Sequence, residues 1–338
     1  MAPKHSAANP GGKFIPALVL GVVFIAIPLI LEWFGKSYFY QLANLSFIFI
    51  ILAVSMNLIT GTAGLLTLGH AAFYGIGAYT AALLSTKLGW PFLLTLPASG
   101  LVAAFFGLLV ALPTMRLVFI YFAVATLAIG EIIHVTLLNW VSFTRGPMGI
   151  DGVGPIEFFG WEATGHLGIY YVVAAVTAIS IYAIYRLSHS YYGNAMRSLR
   201  EDDQCAEAMG IDVVKIKTQV FAVSTFFAGV AGGLIAHTSG YISPDSFKFS
   251  ESILILSMVV VGGLGSVPGS VVGALLLLLL PEAARDLGDF RQIAFGLVMF
   301  LAILLLPKGL LGEVSTLDFL RRQMGANWPG AKEKVGWR

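Results

Sequence analysis

Two titratable side chains lie one helical turn apart inside an apolar stretch of this sequence. Glu131 and His134 belong to residues 117–139, and their spacing of three places both on one face of a helix. A carboxylate beside an imidazole can relay protons, and a carboxylate within a membrane is by default a functional-site hypothesis. The structural alternatives are a hydrogen bond between two helices and a position near enough to the membrane edge to stay hydrated.

The residues needed for most other chemistry are missing from the sequence. It contains no HExxH, CxxC or GxSxG pattern, and Cys205 is its only cysteine. Residues 35–37, Gly-Lys-Ser, resemble the end of a phosphate-binding pattern, but Ile30 stands where that pattern needs glycine. Asn57 and His70 are interpreted as packing or cavity-lining groups rather than metal ligands. The sequence therefore predicts no catalytic residue, no metal site and no cofactor.

The composition is typical of a protein that spans a membrane many times. Of the 338 residues, 57% are hydrophobic and 11% are charged, whereas soluble domains carry about 25% charged residues. The net charge of +2 comes without a basic cluster interleaved with aromatic residues, which argues against nucleic-acid binding. We therefore expect an all-α polytopic membrane protein.

Apolar runs predict about ten transmembrane segments within residues 14–307, and two of these segments are short. The runs 252–261 and 269–281 reach only about 15 and 20 Å as helices, against a hydrocarbon core of about 30 Å. The ten segments are 14–34, 38–60, 61–84, 91–112, 117–139, 168–187, 218–237, 252–261, 269–281 and 291–307.

Glycine-rich stretches occur at similar places in the two halves of the chain and form a weak internal repeat. Ser55-Met56 precedes the Gly- and Ala-rich residues 61–84, and Ser257-Met258 precedes GGLGSVPG and the small residues 269–274. Small residues let helices pack closely, whereas interrupted helices in matching halves mark transport pathways. Both interpretations stay open. The pathway candidates are Asn57, Gly69, His70, Glu131, His134, Gly262, Gly263 and Gly265.

The distribution of lysine and arginine predicts the orientation. With ten segments, 14 of the 20 basic residues fall on one side, and cytoplasmic loops are enriched in such residues. This side would hold the N-terminal tail 1–13, the densely charged residues 190–217 and the C-terminal tail 308–338. Residues 140–167, rich in glycine and proline, are predicted to form a turn-rich loop on the opposite, periplasmic side.

Residues 190–217, which we call the charged segment, are the only long run of mixed charge between apolar stretches. Arg197 and Glu201 can pair on a helix, and Gly210 is typical of a helix end. The pattern predicts a short helix whose apolar strip docks against a partner; the alternative is a solvated connector. The strip consists of Met196, Leu199, Ala206 and Met209.

The longest motifs resemble those of permease subunits of ABC importers for branched-chain amino acids, specifically the M-type subunit. The resemblance runs from about residue 40 to 311. It is carried by TGTAGLLTLGHAAFYGIGAYTAALL (60–84), IYFAVATLAIGEI (120–132), TRGPMGIDGV (144–153), GNAMRSLREDDQCAEAMGI (193–211) and VVGGLGSVPGSVVGA (260–274).

This resemblance implies partners and roles. Such a permease sits in the bacterial inner membrane with a related H-type permease, two ATPase subunits and a periplasmic binding protein. In ABC importers a loop reading Glu-Ala-Ala, three residues, Gly docks on the ATPase. Gln204-Cys205-Ala206 and Gly210 fall on that spacing, although glutamine and cysteine depart from it. The implied contact residues are Arg197, Arg200, Glu201, Gln204, Ala206, Glu207 and Gly210.

Other functions remain open at this point. Permeases of urea and short amides look similar, so the motifs do not fix the substrate. A proton-coupled secondary transporter would work through Glu131 and His134 without an ATPase subunit, and a passive channel would need neither ATP nor a binding protein. Neither of the last two accounts for a docking-type charged segment.

Overall fold

The computed structural model describes residues 37–283 apart from 118, 159–160 and 163–164, together with 296, 299–300, 304 and 309–311. The predicted tail 1–13 and first span 14–34 lie outside the described residues. Most of the last span 291–307 and of the tail 308–338 also lie outside them.

Eleven α-helices form most of the described part of the chain, which confirms the expected all-α polytopic architecture. Five stretches are long and apolar enough to cross a membrane: Tyr38–Thr62, Phe92–Thr114, Ile120–Asn139, His166–Ser188 and Val213–Ser239. The helices are α1 Ser37–Asn57, α2 His70–Leu88, α3 Phe92–Thr114, α4 Phe119–Asn139, α5 Val141–Thr144, α6 His166–Ser188, α7 Tyr191–Glu201, α8 Asp203–Ala208, α9 Val213–Ser239, α10 Phe249–Gly262 and α11 Val267–Ala283.

Helix α9 lies at the centre of this bundle and packs against α1, α2 and α3. Its glycines bring the helix backbones into direct contact. A Cβ atom on Gly77 of α2 would lie 2.4 Å from Cα of Gly229 on α9, and one on Gly232 would lie 2.2 Å from the carbonyl oxygen of Tyr74. Any side chain at these crossings would collide with backbone, so the close-packing interpretation of the small residues is confirmed there.

The predicted segment 61–84 is not one continuous helix. Helix α1 continues into a π-helical turn at Leu58–Thr62, and residues 63–69 are non-helical until α2 begins at His70. We call residues 58–69 the first break. Residues 263–266, the second break, separate α10 from α11. With 14 and 17 residues these two helices measure about 21 and 26 Å, which is still short of the hydrocarbon core.

The predicted turn-rich loop 140–167 contains short strands and packs against the residues that follow α9. Strand β1, Ile150–Asp151, pairs antiparallel with β4, Tyr241–Ile242. Strand β2, Glu157–Phe158, pairs with β3, Trp161–Glu162. The backbone N–H of Gly154 donates to Ser85 Oγ on α2 at 2.9 Å, so the loop is also tied to the end of a bundle helix.

Candidate functional site

The charged segment folds into two short helices, α7 and α8, and the first turn of α9, which begins at Val213 rather than after residue 217. The apolar strip predicted for this segment faces inward at three of its four positions. Met196, Leu199 and Ala206 are buried, but Met209 is 83% exposed. The prediction that this strip docks against a partner was therefore wrong for Met196, Leu199 and Ala206, which are buried within this chain. Met209 does not join them, because it lies beyond the end of α8 at Ala208.

Both ends of α8 are fixed by specific hydrogen bonds. The Asp202 carboxylate accepts from the backbone N–H groups of Gln204 and Cys205 at 2.8 and 3.0 Å, and these donors lower the pKa of Asp202. At the other end Gly210 adopts a φ of 84°, and Ile211 N–H donates to the Ala206 carbonyl oxygen. The prediction that Gly210 stops a helix is confirmed.

An ion pair fastens α8 to the bundle. Lys217, on the first turns of α9, donates from Nζ to the Asp203 carboxylate. The lysine is buried, so the carboxylate offsets the cost of removing its charge from water. The sequence gives no sign of this pair, because residues 14 positions apart meet here only through the fold.

Arg200 connects the charged segment to the first break. Its Nη1 donates to the carbonyl oxygen of Gly61 at 2.6 Å, across 139 positions of sequence. The aliphatic part of the side chain lies against Gly64, where a Cβ atom would come within 2.9 Å of Arg200 Cγ. The other predicted arginine, Arg197, donates to Asn194 of its own helix at 3.3 Å.

The two breaks contact each other through the buried end of α1. The buried Asn57 accepts at Oδ1 from the backbone N–H of Gly265 at 2.8 Å. A Cβ atom on Gly61 would lie 2.3 Å from that same nitrogen, so only glycine allows this approach. Asn57 Nδ2 is buried and has no hydrogen-bond partner among the described residues. The structure thus brings together Asn57 and Gly265, two pathway candidates from opposite halves of the chain.

Gly262 and Gly263 lie against the start of the C-terminal region. A Cβ atom on Gly309 would lie 2.3 Å from Cα of Gly263. Leu310 N–H donates to the Val261 carbonyl oxygen and Leu311 N–H to that of Gly262, both at 2.9 Å. The second break is therefore packed against backbone on this side.

Gly69 and His70 lie in a buried polar cluster at the start of α2. His70 Nε2 is 3.0 Å from Ser55 Oγ, and the imidazole is buried. A Cβ atom on Gly69 would lie 2.3 Å from the carbonyl oxygen of Thr126 on α4. The described residues hold no group of three or more acidic, histidine or cysteine side chains that could bind a metal.

The sequence analysis did not single out Thr126 or Ser252, which complete this cluster. Thr126 Oγ1 accepts from Leu68 N–H at 3.1 Å, and Ser252 Oγ accepts from Ala71 N–H at 2.9 Å. A hydroxyl in an apolar helix was the available signal, since such groups bond across helices in membranes.

Glu131 and His134 share one side of α4 but form no hydrogen bond, because Nδ1 and Oε2 are 4.0 Å apart. The histidine side chain is 11% exposed and the glutamate side chain 47%. Glu131 borders a narrow crevice between α4, the start of α2 and the start of α10. Leu68 and Gly69, at the end of the first break, line the same crevice, so Glu131 borders that break.

Fold and sites together define a polytopic all-α membrane protein with a folded charged segment anchored on broken core helices. The chain belongs to the family described as the permease component of the branched-chain amino acid transport system, which matches residues 38–307. It is 36% identical over 294 residues to the high-affinity branched-chain amino acid transport system permease protein LivM of Escherichia coli strain K12. That alignment covers 80% of this chain and 69% of LivM.

Two relatives of lower identity are also named as permease proteins of branched-chain amino acid transport systems. The permease protein LivH of Escherichia coli strain K12 is 26% identical over 288 residues, covering 78% of this chain and 91% of LivH. The permease protein BraD of Pseudomonas aeruginosa is 27% identical over 281 residues, covering 78% and 91%. No solved structure gives a significant match.

Proposed function

We propose that this chain is the M-type permease subunit of an ATP-driven ABC importer for branched-chain amino acids. The observation that carries the proposal is the anchoring of the charged segment, through Arg200 and Gly61, on a break between two core helices. A solvated connector would not need a buried apolar strip, a capped helix and a contact to the core. The names of LivM, LivH and BraD support the substrate class.

The partners follow from this assignment. The complex would contain two ATPase subunits, and one of them would bind the charged segment from the cytoplasm, at the exposed side chains near Gln204, Glu207 and Met209. A related H-type permease would pack beside this chain in the inner membrane. A periplasmic binding protein would deliver the amino acid to the side that holds residues 140–167. Both chain termini would then be cytoplasmic.

Contacts in the core suggest how movement at the ATPase reaches the pathway. A shift of α7 would pull on the Gly61 carbonyl through Arg200. Gly61 lies against Gly265, and Asn57 is bonded to the same nitrogen, so the first break would carry the second break with it. Both breaks are helix interruptions, which bend more easily than continuous helices because they lack part of the helical hydrogen bonding.

Reconstitution in proteoliposomes tests the proposal. The chain with its H-type permease, ATPase subunits and binding protein should take up leucine only when ATP is present. The chain purified alone should hydrolyse no ATP. Uptake driven by a proton gradient without the ATPase subunits would contradict the proposal and favour a secondary transporter. ATP-driven uptake of urea or short amides but not of leucine would change the substrate class.

A further inference from the structure

Glu131 is a charged residue far from both ends of α4, a helix long and apolar enough to cross a membrane. Among the described helices other than α7 and α8, it is the only Asp, Glu, Lys or Arg more than two turns from a helix end. It lies about 18 Å from the start of α4 and about 12 Å from its end, at a rise of 1.5 Å per residue. A charge at this depth is costly in lipid and needs a polar surrounding or a cation.

The Glu131 carboxylate accepts no hydrogen bond from the described part of the chain. Its one ion-pair contact there is long, because His134 Nδ1 lies 4.0 Å from Oε2, beyond hydrogen-bond distance. About half of the side chain is exposed at the edge of the apolar stripe on α4 that includes Ile132 and Val135. This chain therefore leaves the carboxylate open toward the outside of its own bundle.

The crevice beside this carboxylate is narrow and has room for about one water-sized group. It could take the ammonium end of a small molecule, whose hydrocarbon part would then lie along the exposed apolar face of α4. The adjoining crevice is lined mainly by apolar side chains and by glycine, with one hydroxyl at Ser252. Besides Glu131 and Ser252, its walls include Leu68, Gly69, Leu127, Phe247 and Phe249. A free carboxylate beside such walls complements an ammonium group attached to a hydrocarbon side chain.

We infer that Glu131 binds the α-ammonium group of the amino acid during its passage along the open edge of α4. This inference rests on the proposed function and names the group that would hold the substrate inside the membrane. The second permease would close the other side of the pathway. Because urea and short amides carry no ammonium group, the carboxylate would also favour amino acids over those neutral solutes.

Transport kinetics of the complete complex test the role of the charge. Glu131→Gln keeps the size of the side chain but removes its charge, and we expect the maximal rate of leucine uptake to fall about tenfold or more. Glu131→Asp, which keeps the charge, should retain most of the rate. ATP hydrolysis stimulated by the binding protein should continue in Glu131→Gln. Unchanged leucine uptake in this variant would overturn the inference.

Thiol labelling tests whether the position lies in an aqueous pathway. In a background with Cys205→Ser, Leu127→Cys, which lines the crevice one turn from Glu131 and leaves the carboxylate in place, should react with a membrane-impermeant cationic methanethiosulfonate reagent. Ile132→Cys, next to Glu131 and 64% exposed on the apolar face, should not react. The amine 3-methylbutylamine, which is leucine without its carboxylate, should slow labelling of Leu127→Cys, whereas 4-methylpentanoate, which lacks the ammonium group, should not. Failure of Leu127→Cys to react would overturn the inference.

Co-purification of the two permeases distinguishes two possible sources of the cation that pairs with Glu131: the second permease and the substrate. If a basic side chain of the second permease pairs with Glu131, Glu131→Gln should weaken co-purification of the two permeases, and the inference fails. If the substrate supplies the ammonium group, co-purification stays intact. A wild-type complex that takes up no branched-chain amino acid at all would contradict the proposed function itself, before any variant is compared.

Discussion

Single polar side chains connect parts of this molecule that are far apart in sequence. Arg200 reaches the Gly61 carbonyl over 139 positions, and Asn57 accepts from Gly265 over 208. Each contact joins a helix to a break, where backbone groups are not all used by helical hydrogen bonds. At the scale of residues, these two side chains are the connections through which the charged segment and both halves of the chain would act on each other.

Removing the Arg200 contact should separate ATP hydrolysis from transport. Arg200→Gln loses the charged donor to the Gly61 carbonyl, a hydrogen bond whose net contribution is about 1.5–3 kcal/mol. In the reconstituted complex we expect ATP hydrolysis to persist while leucine uptake per ATP falls several-fold. Arg186→Gln, exposed in the last turn of α6 and not among the implied ATPase contacts, is the control. Equal loss of uptake in both variants would count against this relay.

At the scale of elements, α7 and α8 form a rigid surface rather than a loop. The buried strip of α7 faces the bundle, Asp202 caps α8, and the ion pair between Lys217 and Asp203 ties α8 to α9. Gly210 ends α8 in a left-handed conformation and directs the chain into α9. Such a surface can transmit force because its helices keep their places when a partner pushes on them.

Changing the glycine at the end of α8 should loosen this surface. In Gly210→Ala the left-handed φ of 84° costs about 1–2 kcal/mol, because Cβ approaches the following carbonyl oxygen. We expect weaker binding of the ATPase subunits, measured by co-purification in detergent, and lower thermal stability. Gly152→Ala, with a φ of 74° in the loop 140–167, carries a similar backbone strain at a distance from α8. It should lower thermal stability without weakening ATPase binding. If Gly152→Ala weakened ATPase binding more than Gly210→Ala did, the prediction would be contradicted.

For the whole molecule, the defining feature is that the two interrupted helix pairs meet at their breaks. Gly61 approaches Gly265 so closely that a side chain on Gly61 would collide with the Gly265 nitrogen, and α9 packs against the π-helical turn of the first break. The two halves of the weak repeat are thereby joined where each helix pair is interrupted. Movement of one break without the other would break the Asn57–Gly265 hydrogen bond.

A variant that disconnects the two breaks should lose transport while the complex remains folded. Asn57→Leu removes the acceptor for the half-buried Gly265 N–H, a hydrogen bond whose net contribution is about 0.5–1.5 kcal/mol. We expect leucine uptake to be lost while the complex still assembles and hydrolyses ATP. Asn44→Leu is the control on the same helix, because its buried Oδ1 has no hydrogen-bond partner in the described structure. If Asn44→Leu lowers uptake as much as Asn57→Leu, the joined breaks do not carry the movement.

The amino-acid sequence alone determined the class of this protein and the local features of its elements. The hydrophobic and charged fractions required an all-α membrane fold, and the apolar runs located α3, α4 and α6 within a few residues of their ends. Gly210 and the short runs around 252–281 were predictable for the same reason: helix ends and lengths depend on neighbouring residues. The motifs were sufficient to indicate the family. Orientation and the pathway role of the candidate residues stay predictions.

Only the tertiary structure decided which of these residues meet. Packing between different segments of the chain decides several features. These are the non-helical residues 63–69 of the first break, the exposure of Met209, the Lys217–Asp203 pair and the approach of Gly61 to Gly265. The sequence marked Asn57, Arg200 and Gly265 as candidates but gave no sign that they lie along one chain of contacts. Periodicity and composition are local properties, whereas a hydrogen bond across 208 positions exists only once the intervening helices have packed.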